Sequence, residues 1–288
     1  MINPPKIHLL TCIKDCNLTG LRKTTNQLKL IPMKTKLLAI LTFCLMSIAA
    51  MAEGPLWMRY PAISPDGKTI AFSYKGDIFT VASTGGVARQ LTTNPAYDFM
   101  PVWSPDGKQI AFSSDRNSNL DIYIMPAEGG APLRLTYHSR SEYPSGFSPD
   151  GKNIIFTAQI EDSKDNAQFP TGTLTELYSV PSKGGRITQI LTTPAENAHY
   201  NSDGTKIIYQ DVKGYENKWR KHHTSAVTRD IWIYDTKTGQ HTKITNFKGE
   251  DRDPEFSRNE QNYFFLSERN GSFNVFESST DDDAKAKQ

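Results

Sequence analysis

Beyond residue 44 the chain has no cysteine: its three, Cys12, Cys16 and Cys44, all lie near the amino terminus. A domain built from the remainder can form neither a disulfide nor a thiolate metal site. Long apolar runs are equally scarce. The one conspicuous run, "LLAILTFCLMSIAA" at 37–50, has 14 residues, where a bilayer-spanning helix needs about 20. There is no H-E-x-x-H or other chelating histidine spacing, so neither a zinc site of that kind nor any other metal site is expected. His222 and His223 are adjacent, and on a strand they would point to opposite faces. No G-x-S-x-G elbow occurs, which leaves a self-contained α/β-hydrolase site without its nucleophile. The sequence supplies no catalytic constellation, and no cofactor is expected.

What is present divides the chain in two. "MKTK" (33–36) is a basic start to the apolar run, and Ala50 and Ala52 bracket a cleavage position before Glu53. Residues 33–52 therefore read as a secretory signal peptide, with residues 1–32 an unstructured extension or a mis-called start. Once cleaved, it leaves no stable membrane insertion, and the product is expected in the periplasm or cell envelope. Removing it changes the charge. The whole chain carries 33 Lys+Arg and 31 Asp+Glu, of which residues 1–52 hold 7 and 1. The remaining 26 basic and 30 acidic residues leave a net of −4, which removes compositional support for nucleic-acid binding.

Residues 53–288 are repetitive. "SPDGKTIAFS" (64–73) returns as "SPDGKQIAFS" (104–113) and "SPDGKNIIFT" (148–157), then as "NSDG" around Asp203 and a degenerate "FSRNEQ" around Asn259. Each marker is followed by an apolar strand ("TIAFS", "KIIYQ"), a second strand ("DIFTVAS", "DIYIMPA", "DIWIYDT"), a turn and a third strand ending in "LT" or "IT". With a short strand before each marker, this makes four strands every 40–45 residues or so, the signature of a β-propeller blade. Blades are expected at about 60–98, 99–142, 143–196, 197–251 and 252–288. In each corner Pro presets φ, Asp accepts backbone N–H groups and Gly takes the left-handed conformation. Asp66, Gly67, Asp106, Gly107, Asp150, Gly151, Asp203 and Gly204 are accordingly assigned to turns and not to chemistry. "DRNSNLD" (115–121) alternates acceptors as a calcium loop would, but Leu120 and Pro126 stand where that loop needs Gly and Glu, so it reads as a polar turn.

The departures from the repeat carry the candidate site. Blades three and four have insertions between their second and third strands, at 160–173 and 212–228. Such loops emerge on the same rim. The second is basic and aromatic, with Tyr215, Trp219, Arg220, Lys221, His222 and His223 as candidate contacts for peptides or partner protein domains.

The "SPDG" corners, "DIY"-type strands and "GG…LT" turns resemble the propeller repeat of the TolB and tricorn protease families across residues 60–288. "WMRYPAISPDGKTIAF" and "WRKHHTSAVTRDIWIYD" (219–235) are similar to the first propeller of exported tricorn-type serine proteases of the C-terminal-processing class. The resemblance implies a non-catalytic amino-terminal propeller that guides or gates peptides. The alternative is a stand-alone TolB-like scaffold. No residues match the protease region of those relatives, so no catalytic residue carries over. The terminal "DDDAKAKQ" aligns with "GVARQLTT" but stops where "LT" should come. The expected fold is therefore an incomplete six-bladed ring, four blades and most of a fifth.

Overall fold

The computed structural model describes residues 57–160, 174–215, 222, 224–280 and 282–288; the expected signal peptide lies outside them. Pro55–Gln288 form one compact unit. It is all-β, with five four-stranded antiparallel sheets in chain order. Blade one holds β1 (Arg59–Ile63), β2 (Thr69–Tyr74), β3 (Asp77–Ala82) and β4 (Arg89–Gln90). Blade two holds β5 (Asp98–Trp103), β6 (Gln109–Ser114), β7 (Asp121–Pro126) and β8 (Leu133–Arg134). Blade three holds β9 (Glu142–Phe147), β10 (Asn153–Ala158), β11 (Glu176–Pro181) and β12 (Thr188–Leu191). Blade four holds β13 (Ala195–Tyr200), β14 (Lys206–Asp211), β15 (Ile231–Asp235) and β16 (His241–Lys243). Blade five holds β17 (Asp251–Phe256), β18 (Asn262–Ser267), β19 (Asn274–Ser279) and β20 (Asp282–Lys287).

Five four-stranded blades in a ring replace the expected incomplete six-bladed one. The fifth blade is complete, because "DDAKAK" pairs with β19 as an outer strand, Glu277 opposite Lys287 and Ser279 opposite Asp282. The missing "LT" does not prevent this pairing. An outer edge needs only backbone pairing, and β4 and β8 manage with two residues each. A charged edge strand also discourages pairing with other chains.

The inner strands touch in succession, β1 to β5, β9, β13 and β17. In blades two to four the middle pair of strands is sandwiched between neighbours, so apolar side chains point both ways. Ala71 and Ile78 of blade one pack on Ile110, Phe112, Tyr123 and Met125 of blade two. Ala111, Ile122 and Ile124 pack on Ile154, Phe156, Tyr178 and Val180 of blade three. The same arrangement recurs between blades three and four and between four and five.

The "DI…LT" pairing has a local cause. The Thr92, Thr136 and Thr245 hydroxyls accept the backbone N–H of Ile78, Ile122 and Ile231, tying each outer strand to the strand before it. Burying a donor here without that partner would cost about 1–3 kcal/mol.

Candidate functional site

The "SPDG" corners sit at one end of the blades, between inner and second strands. In the first, Ser64 Oγ donates to Asp66 Oδ1 at 2.6 Å, Lys68 N–H donates to the same oxygen at 3.1 Å, and Thr69 N–H donates to Ser64 Oγ at 2.9 Å. The second and third corners repeat these bonds through Ser104, Asp106, Ser148 and Asp150. In the fourth, Thr205 takes over the bond to Asp203. The hydroxyl bonds, followed by the backbone N–H bonds, hold the Asp66, Asp106 and Asp203 carboxyls below the usual range, and that of Asp150 at about 2. Gly67, Gly107, Gly151 and Gly204 all have φ near +70° (68–73°). Successive corners stack: a Cβ on Gly107 would lie 3.7 Å from Pro65, and one on Gly151 3.6 Å from Pro105.

The inner strands carry a feature that the repeat reading missed. Each has a register shift at the same place, between Arg59 and Ala62, Phe99 and Val102, Glu196 and His199, and Arg252 and Glu255, with a smaller one in β9. Tyr60, Met100, Asn197 and Asp253 take the left-handed conformation there, φ 47–55°. A non-glycine residue in that region costs of order 1–2 kcal/mol. Strain recurring at one position is a feature of the architecture and marks a place to look for function. The signal was available: Pro61, Pro101 and Pro254 follow three of these residues, and proline inside a paired strand announces a bulge.

Around this ring the chemistry divides. On blades one to three Tyr60 lies 5.5 Å from Phe99, which lies 5.0 Å from Tyr97 and 6.2 Å from Tyr143. Tyr60 and Tyr97 stay exposed, as do Trp57 and Met58 beside them. On blades four and five the wall is polar. Asn197 donates to Asp253, Gln210 bridges Asn197 and the Asp253 N–H, and His199 Nε2 lies 3.4 Å from Glu255.

The blade-four insertion begins and ends in a clamp at the same end of the molecule as the β2–β3-type hairpins. Lys213 Nζ donates to the Thr228 carbonyl at 2.7 Å and pairs with Asp211 at 3.2 Å and with Asp230. Lys243 pairs with Asp230 at 2.8 Å. Burial alone would lower the Lys213 pKa, but the Asp230 hydrogen bond and the two carboxylates carry it above the ordinary lysine value. Close by, Arg229 is buried against Glu250 at 2.8 Å and Glu196 at 3.7 Å. Of the six candidate loop contacts, Tyr215 stands 98% exposed beyond the clamp. The His222 N–H donates to Glu268 of blade five at 2.6 Å. Trp219, Arg220, Lys221 and His223 lie outside the described residues.

The polar turn at 115–121 uses its acceptors internally. Asp115 takes the Tyr97 N–H, Asn119 donates to the His138 and Arg140 carbonyls, and Asp121 pairs with Arg134 at 2.8 Å. Among the described residues no group of three or more His, Cys, Asp or Glu is placed to hold a metal ion.

Comparison with known families decides the relationship. The model of the tricorn protease N-terminal β-propeller domain matches residues 55–288. The chain belongs to that family. Solved structures agree on the fold. A putative TolB from Agrobacterium tumefaciens superposes with a TM-score of 0.65 at 20% identity, over 81% of this chain and 80% of that one. TolB from Acinetobacter baumannii gives 0.60 at 24% identity, over 78% and 52%. The tricorn protease gives 0.66 at 22% identity, over 81% of this chain and 22% of that one. This tricorn-type propeller thus corresponds to about a fifth of the solved protease. No match was found among curated protein sequences. No helix among the described residues is long and apolar enough to cross a membrane.

Proposed function

We propose that this tricorn-type propeller is the non-catalytic amino-terminal domain of an exported serine peptidase, guiding or gating peptides and contacting partner domains. The observation that carries the reading is the clamped blade-four loop. Lys213, Asp211, Asp230 and Thr228 fix both ends of the insertion, and Tyr215 projects from it into solvent. A loop held at its base on a rigid scaffold presents its contacts at low entropic cost. Its lysines and arginine suit a peptide carboxylate and Trp219 an apolar side chain. Export is supported by the basic–apolar–small pattern of residues 33–52.

Fluorescence anisotropy with a labelled unstructured peptide tests this. Changing Trp219, Arg220 and Lys221 together to Ala should weaken binding about tenfold or more while the melting temperature holds. Unchanged affinity would remove the loop from the binding surface. A second reading, a stand-alone TolB-like scaffold, is supported by the match to 80% of the Agrobacterium TolB chain. It expects affinity for a folded envelope protein and none for unstructured peptides.

A further inference from the structure

The inner strands hold two unlike walls at one level of the ring. With five blades in a ring, blades four and five stand across the centre from blades one to three. On the latter side Phe99, buried, is the floor of an aromatic cup. Tyr60, Tyr97 and Tyr143 surround it at 5.5, 5.0 and 6.2 Å. Two backbone devices place these rings: Tyr60 takes its left-handed φ at the bulge, and the Tyr97 N–H is held by Asp115 at 2.7 Å. Burial, then the neighbouring Tyr97 phenol, raises the Tyr60 pKa above its ordinary value, with Arg59 opposing and Tyr143 adding to it, so the hydroxyl is a neutral donor.

On the other side the groups are planar and polar. Asn197 and Asp253 occupy the bulge position that Tyr60 and Met100 hold in blades one and two. Asn197 donates to Asp253, and Gln210 Oε1 accepts from Asn197 at 3.3 Å and from the Asp253 N–H at 2.8 Å. Glu196 anchors the far end of Gln210 at 3.1 Å. Two residues beyond the bulge, His199 and Glu255 lie 3.4 Å apart. The Asp253 and Glu255 side chains remain 47% and 62% exposed, although each has a nitrogen partner, Arg252 at 3.8 Å for the first and His199 for the second.

We propose that this level of the ring binds a neutral saccharide, a pyranose with one face on the aromatic cup and its hydroxyl rim on the polar wall. A pyranose offers a flat C–H face and a rim of hydroxyls, each both donor and acceptor. The tyrosine rings suit the face, and the amide, imidazole and carboxylate groups suit the rim. Because those groups hold one another through Gln210 and Glu196, little ordering is left for the ligand to impose. A cation fits this site less well, since the Arg59 guanidinium stands beside the cup, 5.6 Å from the Trp57 ring, and both carboxylates already have partners. A peptide strand also fits less well: its backbone gives one donor and one acceptor per residue and leaves most of the planar wall unanswered. The site is separate from the blade-four loop and does not rest on a peptide binding there.

Isothermal titration calorimetry of the full 288-residue chain tests it. The probes are neutral tetrasaccharides of β-1,4-linked glucose, N-acetylglucosamine and mannose, and at least one should bind saturably. Tyr97→Ala and Glu255→Ala, one from each wall, should each weaken that binding about tenfold or more, while Tyr97→Phe, which keeps the ring, should bind nearly as the wild type does. Tyr60→Gly removes a second ring and its backbone strain together, so it stays informative should Tyr97→Ala lose its circular dichroism signature. Changing Trp219, Arg220 and Lys221 together to Ala should leave saccharide binding unchanged. Absence of binding by all three probes would overturn the inference, as would binding that survives both Tyr60→Gly and Glu255→Ala. Displacement of the bound saccharide by an unstructured peptide would make this a peptide site and overturn it equally.

Discussion

Glu142 opens β9 with its side chain sealed between blades two and three, and its environment predicts a measurable pH dependence of stability. Three charged or polar groups face it. Asp121 is fully buried and already holds the nearby cation, Arg134, at 2.8 Å. Thr136 donates its hydroxyl to Glu142 Oε2, while Glu142 Oε1 has no hydrogen-bond partner. Two carboxyls thus share one guanidinium, and the one without it keeps its proton. Burial, opposed by the Thr136 bond and reinforced by the Asp121 charge, raises the Glu142 pKa from 4.5 to about 8.

The sign follows from proton counting. Between about pH 4.5 and pH 8 the folded state holds a proton on Glu142 that the unfolded chain has released. Stability from this group is therefore complete below pH 4.5 and lost as pH rises toward 8. At about 1.4 kcal/mol per pH unit, the loss between pH 5 and pH 7 is about 2–3 kcal/mol. Glu142→Gln removes the titration and keeps the acceptor for Thr136. Thermal melts of both chains from pH 5 to pH 8 should show the wild type losing stability and the variant nearly flat, the curves diverging as pH rises. The corner aspartates do not confuse the comparison, because their lowered pKa values place them below this window. Parallel curves would refute the reasoning by showing that Glu142 is ionised in the fold.

Gly107→Ala should destabilise by about 1–2 kcal/mol by denaturant unfolding, since φ of +69° strains any Cβ although there is room for one. Lys213→Met should release the blade-four loop, read as faster proteolytic nicking within 214–228 with smaller effect on the global melt, because the clamp lies at the loop base. Gly214→Ala should do the same, as the added Cβ would meet Val227 at 2.9 Å. The purified chain should show no turnover of unstructured peptides; activity that co-purifies with it would refute the non-catalytic reading.

The strand repeat was legible because every blade needs the same corner and the same sandwich. Ser64–Asp66, Ser104–Asp106 and Ser148–Asp150 make nearly superimposable bonds, so selection for one corner writes the same letters three times. Even the degenerate fifth keeps the logic, with Ser257 donating to Asn259 at 2.7 Å. The last blade departs from the repeat for the complementary reason. "LT" reports a threonine that caps the third strand, not the presence of an outer strand, so β20 forms without it.

The residues around the central ring were harder to find, because they obey geometry instead of repeating chemistry. Tyr60, Met100, Asn197 and Asp253 share a backbone conformation and almost nothing else. A repeat search that scores side chains passes over them. Identical residues at this position would make a uniform wall, and these four do not. The bulge fixes where each side chain stands; the sequence is then free to choose aromatic groups on blades one to three and polar ones on blades four and five. The blade-four insertion departs from the repeat in the same way: paired strands flank it and the Lys213 clamp ties its two ends together. In this propeller the repeat describes the scaffold, and the proposed peptide-binding loop lies where the repeat is broken.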